Sequence, residues 1–217
     1  MINKEVTIID YGVGNLLSVR RGLEYNNASV SVTGDPEQIL NSDRLVLPGV
    51  GAFANGMNEL IKRDFVSLLS EIALKGTPIL GICLGMQFLL DKSEEFGSTD
   101  GLGLIPGTVQ AIPSMAQDGQ KLKIPHIGWS NLIKPKQQNI SWSGSILEGA
   151  NESDALYFVH SFMAQPNNPD HLLAGCLYGG NFIPAVIQSE NIMGCQFHPE
   201  KSSSAGEMFL KNFISSI

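Results

Sequence analysis

Apolar residues fall in short blocks along the first half of the chain, and the blocks alternate between two periods. Val6-Thr7-Ile8-Ile9-Asp10 is a β-rich run that ends in Tyr11-Gly12-Val13-Gly14, after which Leu16, Leu17, Val19 and Leu23 recur in a helical pattern. Ser29 to Thr33 alternates as a strand does. Asp35-Pro36-Glu37-Gln38 then supplies an N-cap and a proline at the first helical position for a short helix. Arg44 to Leu47 predicts a third strand, Pro48 to Phe53 closes it, and one long helical stretch follows up to a capping Gly76. Thr77 to Leu80 predicts a fourth strand and Met86 to Leu90 an amphipathic helix. Strand alternating with helix builds a parallel sheet covered by helices on both faces.

Beyond Phe96 the pattern changes. Residues 96–104 are glycine-rich and read as a surface connection. From Thr108 the chain shows short β-like runs at 108–112, 122–127, 155–163, 172–178, 183–189 and 192–197, with turns between them, and a closing helix from Ala205 to about Ile214. These runs predict hairpins that extend the sheet. The expected fold class is therefore α/β, an open, mostly parallel sheet flanked by helices with a more antiparallel C-terminal half, in a single domain over 1–217.

Composition narrows the setting. A formal charge of −7 and a pI near 5.0, with no basic stripe, argue against a nucleic-acid surface. No apolar run approaches membrane-spanning length and none stands at the start as a signal region, so a cytoplasmic protein without a membrane partner is expected. Three cysteines, an odd number, fit a reducing compartment better than a disulfide framework. Cys176 and Cys195 fall on strands.

The third cysteine carries the chemistry. Gly81-Ile82-Cys83-Leu84-Gly85 lies between the fourth strand and a helix, the arrangement of a nucleophile elbow, where glycines on both sides admit a strained turn. A helix N-terminus beneath the thiol would favour thiolate and offer a donor to a developing oxyanion. A buried cysteine acting as a small hydrophobe is the alternative, and the distant segment Phe197-His198-Pro199-Glu200 decides against it, because thiol catalysis needs a base and an acid in space. Pro199 biases His198 toward extended geometry, in which residues two apart share a face, so the Glu200 carboxylate can reach the imidazole. His126 and His160 also follow β-like runs but have no acid at a comparable offset; His171 lies in a polar loop. The histidines and cysteines lack the clustered spacing of a zinc site, and neither metal nor cofactor is expected.

Two glycine loops invite a dinucleotide-binding reading. The first, Gly12-Val13-Gly14, has Leu17 where G-x-G-x-x-G needs glycine or alanine. The second, opening at Gly49-Val50-Gly51, matches G-x-G-x-x-A. No acidic residue at a later strand end presents itself as a ribose partner, so this loop reads instead as a source of backbone N–H groups for an oxyanion.

Together these residues resemble the class I (triad) glutamine amidotransferases: Gly81-Ile-Cys83-Leu-Gly-Met-Gln87 is similar to the family's nucleophile motif and Gln196-Phe-His198-Pro-Glu200 to its histidine–glutamate segment. Within that family the chain more closely resembles the glutaminase subunits of imidazole glycerol phosphate synthase. It does so through 10–18, 47–53, Pro125-His-Ile-Gly-Trp129, Tyr157-Phe-Val-His-Ser161 and 198–203, almost its whole length. The resemblance implies a flavodoxin-like fold and a Cys83 nucleophile, with His198 as general acid and base and Glu200 as its orienter. It implies an oxyanion hole from the 49–52 loop (Gly49, Val50, Gly51) and Leu84, with Gln87, His160 and Ser161 on the amino-acid end of L-glutamine. It further implies a separate synthase (cyclase) subunit of histidine biosynthesis, bound near Asn15, Trp129 and Lys201, which receives the ammonia. Core packing is the other reading of Trp129. Ser130 and Phe162 depart from the family's asparagine and tyrosine at those places; they lie outside the triad but leave a related synthase, such as a sugar-amidating one, open as the partner. A stand-alone cysteine hydrolase and a silent binding subunit are further alternatives, though the latter should have lost part of the triad. Low activity alone and stimulation by a loaded partner are expected.

Overall fold

In the computed structural model, which describes residues 4–136 and 140–216, the first half alternates as its pattern predicts. Strand β1 (Glu5–Ile9) leads through the glycine turn to helix α1 (Leu16–Tyr25), β2 (Ser29–Thr33) to α2 (Pro36–Leu40), and β3 (Leu45–Gly49) to a helical pair. Asp35 caps α2, its side chain accepting the Glu37 N–H at 2.9 Å. The single helix expected after β3 is two, α3 (Phe53–Lys62) and α4 (Phe65–Leu74), because Asp64 between them sits at φ 57°. Aspartate visits this left-handed region more readily than most residues, and no glycine or proline announces the break. Gly76, at φ 82°, ends α4 as expected, its N–H reaching the Ala73 carbonyl at 3.0 Å.

Strand β4 (Ile79–Cys83) turns directly into α5 (Leu84–Phe88). Then follow β5 (Lys92–Ser93), β6 (Thr99–Asp100), β7 (Gly107–Ala111), β8 (His126–Asn131), β9 (Ala155–His160), β10 (Phe162–Pro166), β11 (Leu172–Tyr178), β12 (Asn181–Ser189), β13 (Ile192–Cys195) and α6 (Ser203–Ser215). The main sheet has the order β11-β12-β13-β4-β3-β1-β2. From β13 to β2 every neighbour is parallel, and β11 and β12 are added antiparallel at one edge.

The later strands extend this sheet only in part. Strands β10, β7, β5 and β6 form a sheet of their own, so residues 96–104 hold a strand as well as turns. Strands β8 and β9 pair only with each other. The run expected at 122–127 becomes a strand only at His126, immediately after Pro125, which has no N–H for a ladder. The run 155–163 is split at Ser161, its halves joining different sheets.

Both faces of the central parallel strands β1, β3, β4 and β13 are dry, which explains why they read as largely apolar runs, while the edge strand β2 is only partly buried and alternates. Val6, Ile8, Val46, Leu80 and Ile82 pack with Val19, Leu23, Phe209 and Leu210 on the side of α1 and α6. Ile9, Leu45, Leu47 and Ile79 pack with Ile39, Leu60, Phe65 and Ile72 on the side of α2, α3 and α4. This arrangement leaves the carboxyl ends of β3 and β4 side by side, the place where open α/β sheets put their ligands.

The elbow there is built by backbone contact. A Cβ on Gly81 would lie 2.5 Å from the Gly85 carbonyl oxygen, and one on Gly85 would fall on the Leu47 carbonyl in the neighbouring strand. A Gly85→Ala substitution should therefore lower stability by at least the roughly 1–3 kcal/mol of an overpacked core, read as a fall in the urea midpoint at unchanged slope.

Candidate active site

Strand β4 delivers Cys83 at φ 56° and ψ −112°, a conformation that non-glycine residues rarely adopt, and α5 departs at the next residue. The cost of such strain, of order 1–3 kcal/mol, is borne where the surrounding structure over-determines it. Here the crowded glycines of the elbow do so. Helix α5 is only five residues long, so its macrodipole is small, and the support for a thiolate comes from specific groups rather than from the helix as a whole.

Two donors and one acceptor meet the sulfur. The Gln196 Nε2 lies 3.8 Å from Cys83 Sγ, and the Val159 carbonyl oxygen 3.9 Å from it. His198 is the third: its Nδ1 lies 2.9 Å from Glu200 Oε1, which leaves Nε2 for the cysteine. The two side chains are 7% and 1% exposed. Burial, the largest single influence on His198, pushes its pKa down, but the Cys83 thiolate and the Glu200 carboxylate together outweigh it and raise the imidazole to about 9. At neutral pH the imidazolium form of His198 is thus favoured beside the sulfur.

The route by which Glu200 arrives differs from the extended one. Pro199–Lys201 forms a single 3-10 turn, and His198 alone keeps extended dihedrals at φ −97° and ψ 96°. Ser202 pins the turn, donating its hydroxyl to the His198 carbonyl at 2.6 Å and accepting the Tyr157 N–H at 3.0 Å. Glu200 Oε2 is buried with no partner among the described residues.

A cleft of about 230 Å³ opens beside this set, with Gly51, Gln87, Glu95, Val159, His160, Ser161 and Phe162 in its wall. A larger one, about 440 Å³ near Gln188 and Asn212, shares no lining residue with this cleft. Gln87 is 5% exposed and its Nε2 is spent on the Phe162 carbonyl at 3.1 Å and Gln196 Oε1 at 3.0 Å. These bonds orient the Gln196 amide with its N–H groups toward the cysteine. Gln196 stands in the motif but not among the expected site residues; only the fold reveals its contact with sulfur. Glu95 was also unmarked, because nothing in a glycine-rich connection signals a carboxylate folded back onto a distant loop.

Neither of the other strand-end histidines is placed to act as a base toward Cys83. His126 and His160 face each other across β8 and β9, with His126 Nδ1 3.1 Å from His160 Nε2. His160 Nδ1 lies 2.8 Å from the Phe162 carbonyl oxygen and must carry the hydrogen, so its Nε2 accepts from His126, whose own Nε2 accepts from the Ser130 hydroxyl at 3.1 Å. Burial drives His160 down to about 4 and lowers His126 as well, so both stay neutral at pH 7. The departures at 130 and 162 fit this network: serine supplies the donor, and Phe162 takes part through its carbonyl. His171 is half-buried rather than solvated, with Nδ1 shielded from solvent.

Of the expected oxyanion donors, Gly49 is the register partner of Cys83 across β3 and β4, and Leu84 is the first residue of α5. Gly51, at φ 93°, lines the cleft with open space around its Cα, and Val50 is 41% exposed. Trp129 is 53% exposed, so it is not a core residue; its ring meets Tyr157 edge to face at 5.9 Å, and Lys201 Nζ stands 6.0 Å from the Tyr157 ring centre. Ile127, 57% exposed, continues this apolar strip on β8. Asn15 is an exposed N-cap of α1.

Comparison with known proteins places the chain in a family. The profile of the family "Glutamine amidotransferase class-I" matches residues 7–217. Imidazole glycerol phosphate synthase subunit HisH 1 of Legionella pneumophila (strain Lens) is 52% identical over 209 residues, 96% of this chain and 98% of that one. Imidazole glycerol phosphate synthase subunit HisH of Methanosarcina barkeri is 46% identical over 212 residues, covering 97% and 98%. Among solved structures, PurLQS from Thermotoga maritima superposes with a TM-score of 0.68 at 19% identity over 100% of this chain and 98% of that chain, a likeness of fold.

Proposed function

This chain belongs to the class-I glutamine amidotransferase family, and on that premise we propose that it is the glutaminase subunit of an imidazole glycerol phosphate synthase, acting in histidine biosynthesis. It hydrolyses L-glutamine and passes the ammonia to a separate synthase subunit, all within one domain. The observation that carries the reading is the meeting of the strained Cys83 with the buried His198–Glu200 pair beside the cleft, in a chain about half identical to synthase subunits.

The proposed mechanism follows from the proton positions. Cys83 thiolate attacks the side-chain carbonyl carbon of glutamine, and the oxyanion is held by N–H groups of Gly49, Val50, Gly51 and Leu84. The His198 imidazolium gives its Nε2 proton to the departing nitrogen as the C–N bond breaks, which releases ammonia and leaves a thioester. Neutral His198 then takes a proton from water, the hydroxide adds to the thioester, and glutamate leaves as the thiolate is restored. Glu200 holds the ring tautomer and charge throughout. In the cleft, Ser161 and His160 flank the amino-acid end of the substrate, Gln87 offers its amide oxygen, and the Glu95 carboxylate is complementary to an ammonium.

The decisive measurement is glutamate release with and without the synthase subunit loaded with its acceptor. Strong stimulation by the partner is expected, and a partner-independent rate of the same size would count against a coupled subunit. The exposed strip of Ile127, Trp129, Tyr157 and Lys201, with Asn15, is proposed as the docking face. A buried aromatic anchor typically contributes about 2 kcal/mol or more to an interface, so Trp129→Ala should weaken the complex about 30-fold or more while leaving alkylation of Cys83 in the free subunit unchanged. Titration calorimetry checks the first, iodoacetamide kinetics the second. Cys83, Cys176 and Cys195 are all free thiols, in keeping with a cytoplasmic location, and no described helix is long and apolar enough to cross a membrane.

A further inference from the structure

We propose that Tyr11 and Glu95 clamp the two ends of the 49–52 loop and thereby set where its N–H groups can point, which makes both of them positioning residues for the glutaminase reaction. The inference rests on the oxyanion role given to this loop above. Tyr11 is fully buried, and its hydroxyl donates to the Pro48 carbonyl at 2.7 Å, just before the loop begins. At the far end the Phe53 N–H donates to Glu95 Oε2 at 2.6 Å. That bond does the work of an N-cap. Ala52 precedes α3 and has no side chain to satisfy the free N–H groups of the first turn, so a carboxylate from the β5–β6 connection supplies the acceptor.

Between the two pins the loop is unconstrained. Val50 is 41% exposed, Gly51 stands at φ 93° with nothing within 4 Å of the place a Cβ would occupy, and the N–H groups of residues 50–52 make no hydrogen bond to backbone among the described residues. A segment fixed at both ends can change only by rotating the peptide planes inside it. Its donors can then turn toward or away from the carbonyl of a bound substrate while Cys83 and α3 stay still. Both pins are anchored in the core of the site: the Tyr11 and Phe53 rings each pack edge-on against Phe88 of α5, at 6.3 and 5.2 Å. Burial also keeps the Tyr11 hydroxyl protonated far beyond the ordinary range, with the Cys83 thiolate adding to the effect.

The test uses the complex with the synthase subunit, glutamine as substrate, and iodoacetamide as a probe of the nucleophile alone. Loss of a whole oxyanion donor costs about 10²–10³ in rate, so a misplaced one in Tyr11→Phe should lower kcat roughly tenfold or more. KM should stay within about twofold, and Cys83 alkylation should keep its wild-type rate. Glu95→Ala should lower kcat to a similar degree. Glu95→Gln, whose amide oxygen can still accept from Phe53, should restore it whatever the loss of charge does to KM. Wild-type kcat in both Tyr11→Phe and Glu95→Ala overturns the clamp, as does a kcat loss that Glu95→Gln does not repair or one matched by slower alkylation. Absence of glutamine turnover in the wild-type complex overturns the glutaminase reading itself, and with it the clamp.

Discussion

Cys83→Ala should reduce glutamate release by the complex to background, a loss of about 10⁴-fold or more in kcat, and His198→Ala should cost nearly as much, with the double variant no worse than either alone. Groups that act as one unit behave this way: once the nucleophile is gone the base has nothing to activate, and without the base the thiolate loses the proton that must leave with ammonia. The geometry specifies that unit. His198 Nε2 faces the sulfur because Nδ1 is committed to Glu200 at 2.9 Å, so no second nitrogen can substitute for it. His160 cannot stand in either, since burial holds its pKa at about 4 and both its ring nitrogens are engaged. Additive losses in the double variant would mean that the two residues serve separate steps, and turnover surviving in Cys83→Ala would place the nucleophile elsewhere. Glutamate release by coupled assay, with binding of the synthase subunit confirmed for each variant, decides between these outcomes.

What the chain disclosed before folding, and what it withheld, follows from the range of the interactions involved. Strands β1, β3 and β4 were legible because both of their faces are dry and their runs are largely apolar, and the edge strand β2 because its residues alternate. The elbow was legible because glycines at 81 and 85 record a close backbone approach in the sequence itself. The break at Asp64 left no trace: aspartate in a left-handed conformation looks like any polar residue on a helix face. Strand β7 carries an ordinary alternating pattern, yet it pairs with β10 and β5 rather than with the main sheet, and pairing partners are not written in a strand's own period. The triad was readable from motif, but Gln196, Tyr11 and Glu95 were not assigned to it. Each acts through a contact across at least 37 residues, with Cys83, Pro48 and Phe53 respectively, and a single side chain of common type carries no mark of such a contact.

Glu200→Gln separates charge from orientation at the base, and the expected result is a fall in kcat of up to about 10⁴-fold together with an alkaline limb that begins at lower pH. Replacing the orienting carboxylate of a triad by its amide can cost that much when the ring is held in the wrong tautomer. Here Glu200 Oε2 has no partner among the described residues, so an amide is free to turn its oxygen toward Nδ1; the full loss then requires that the charge matters as well as the tautomer. In the wild type, burial pulls the His198 pKa down, while the Cys83 thiolate and Glu200 raise it overall to about 9. Removing the carboxylate takes away part of the upward push. Acylation, which needs imidazolium, should then fail at a pH where the wild type still turns over. Stability carries the same signature. A histidine whose folded pKa lies above its ordinary value of 6.5 stabilises the fold fully below 6.5, and progressively less as pH rises through about 9. Glu200→Gln should therefore be more destabilising at about pH 6 than at about pH 10, read from urea midpoints of the isolated subunit. Equal destabilisation at both, with an unmoved alkaline limb, would show that Glu200 acts only as a hydrogen-bond acceptor and that its charge plays no part in holding the imidazolium.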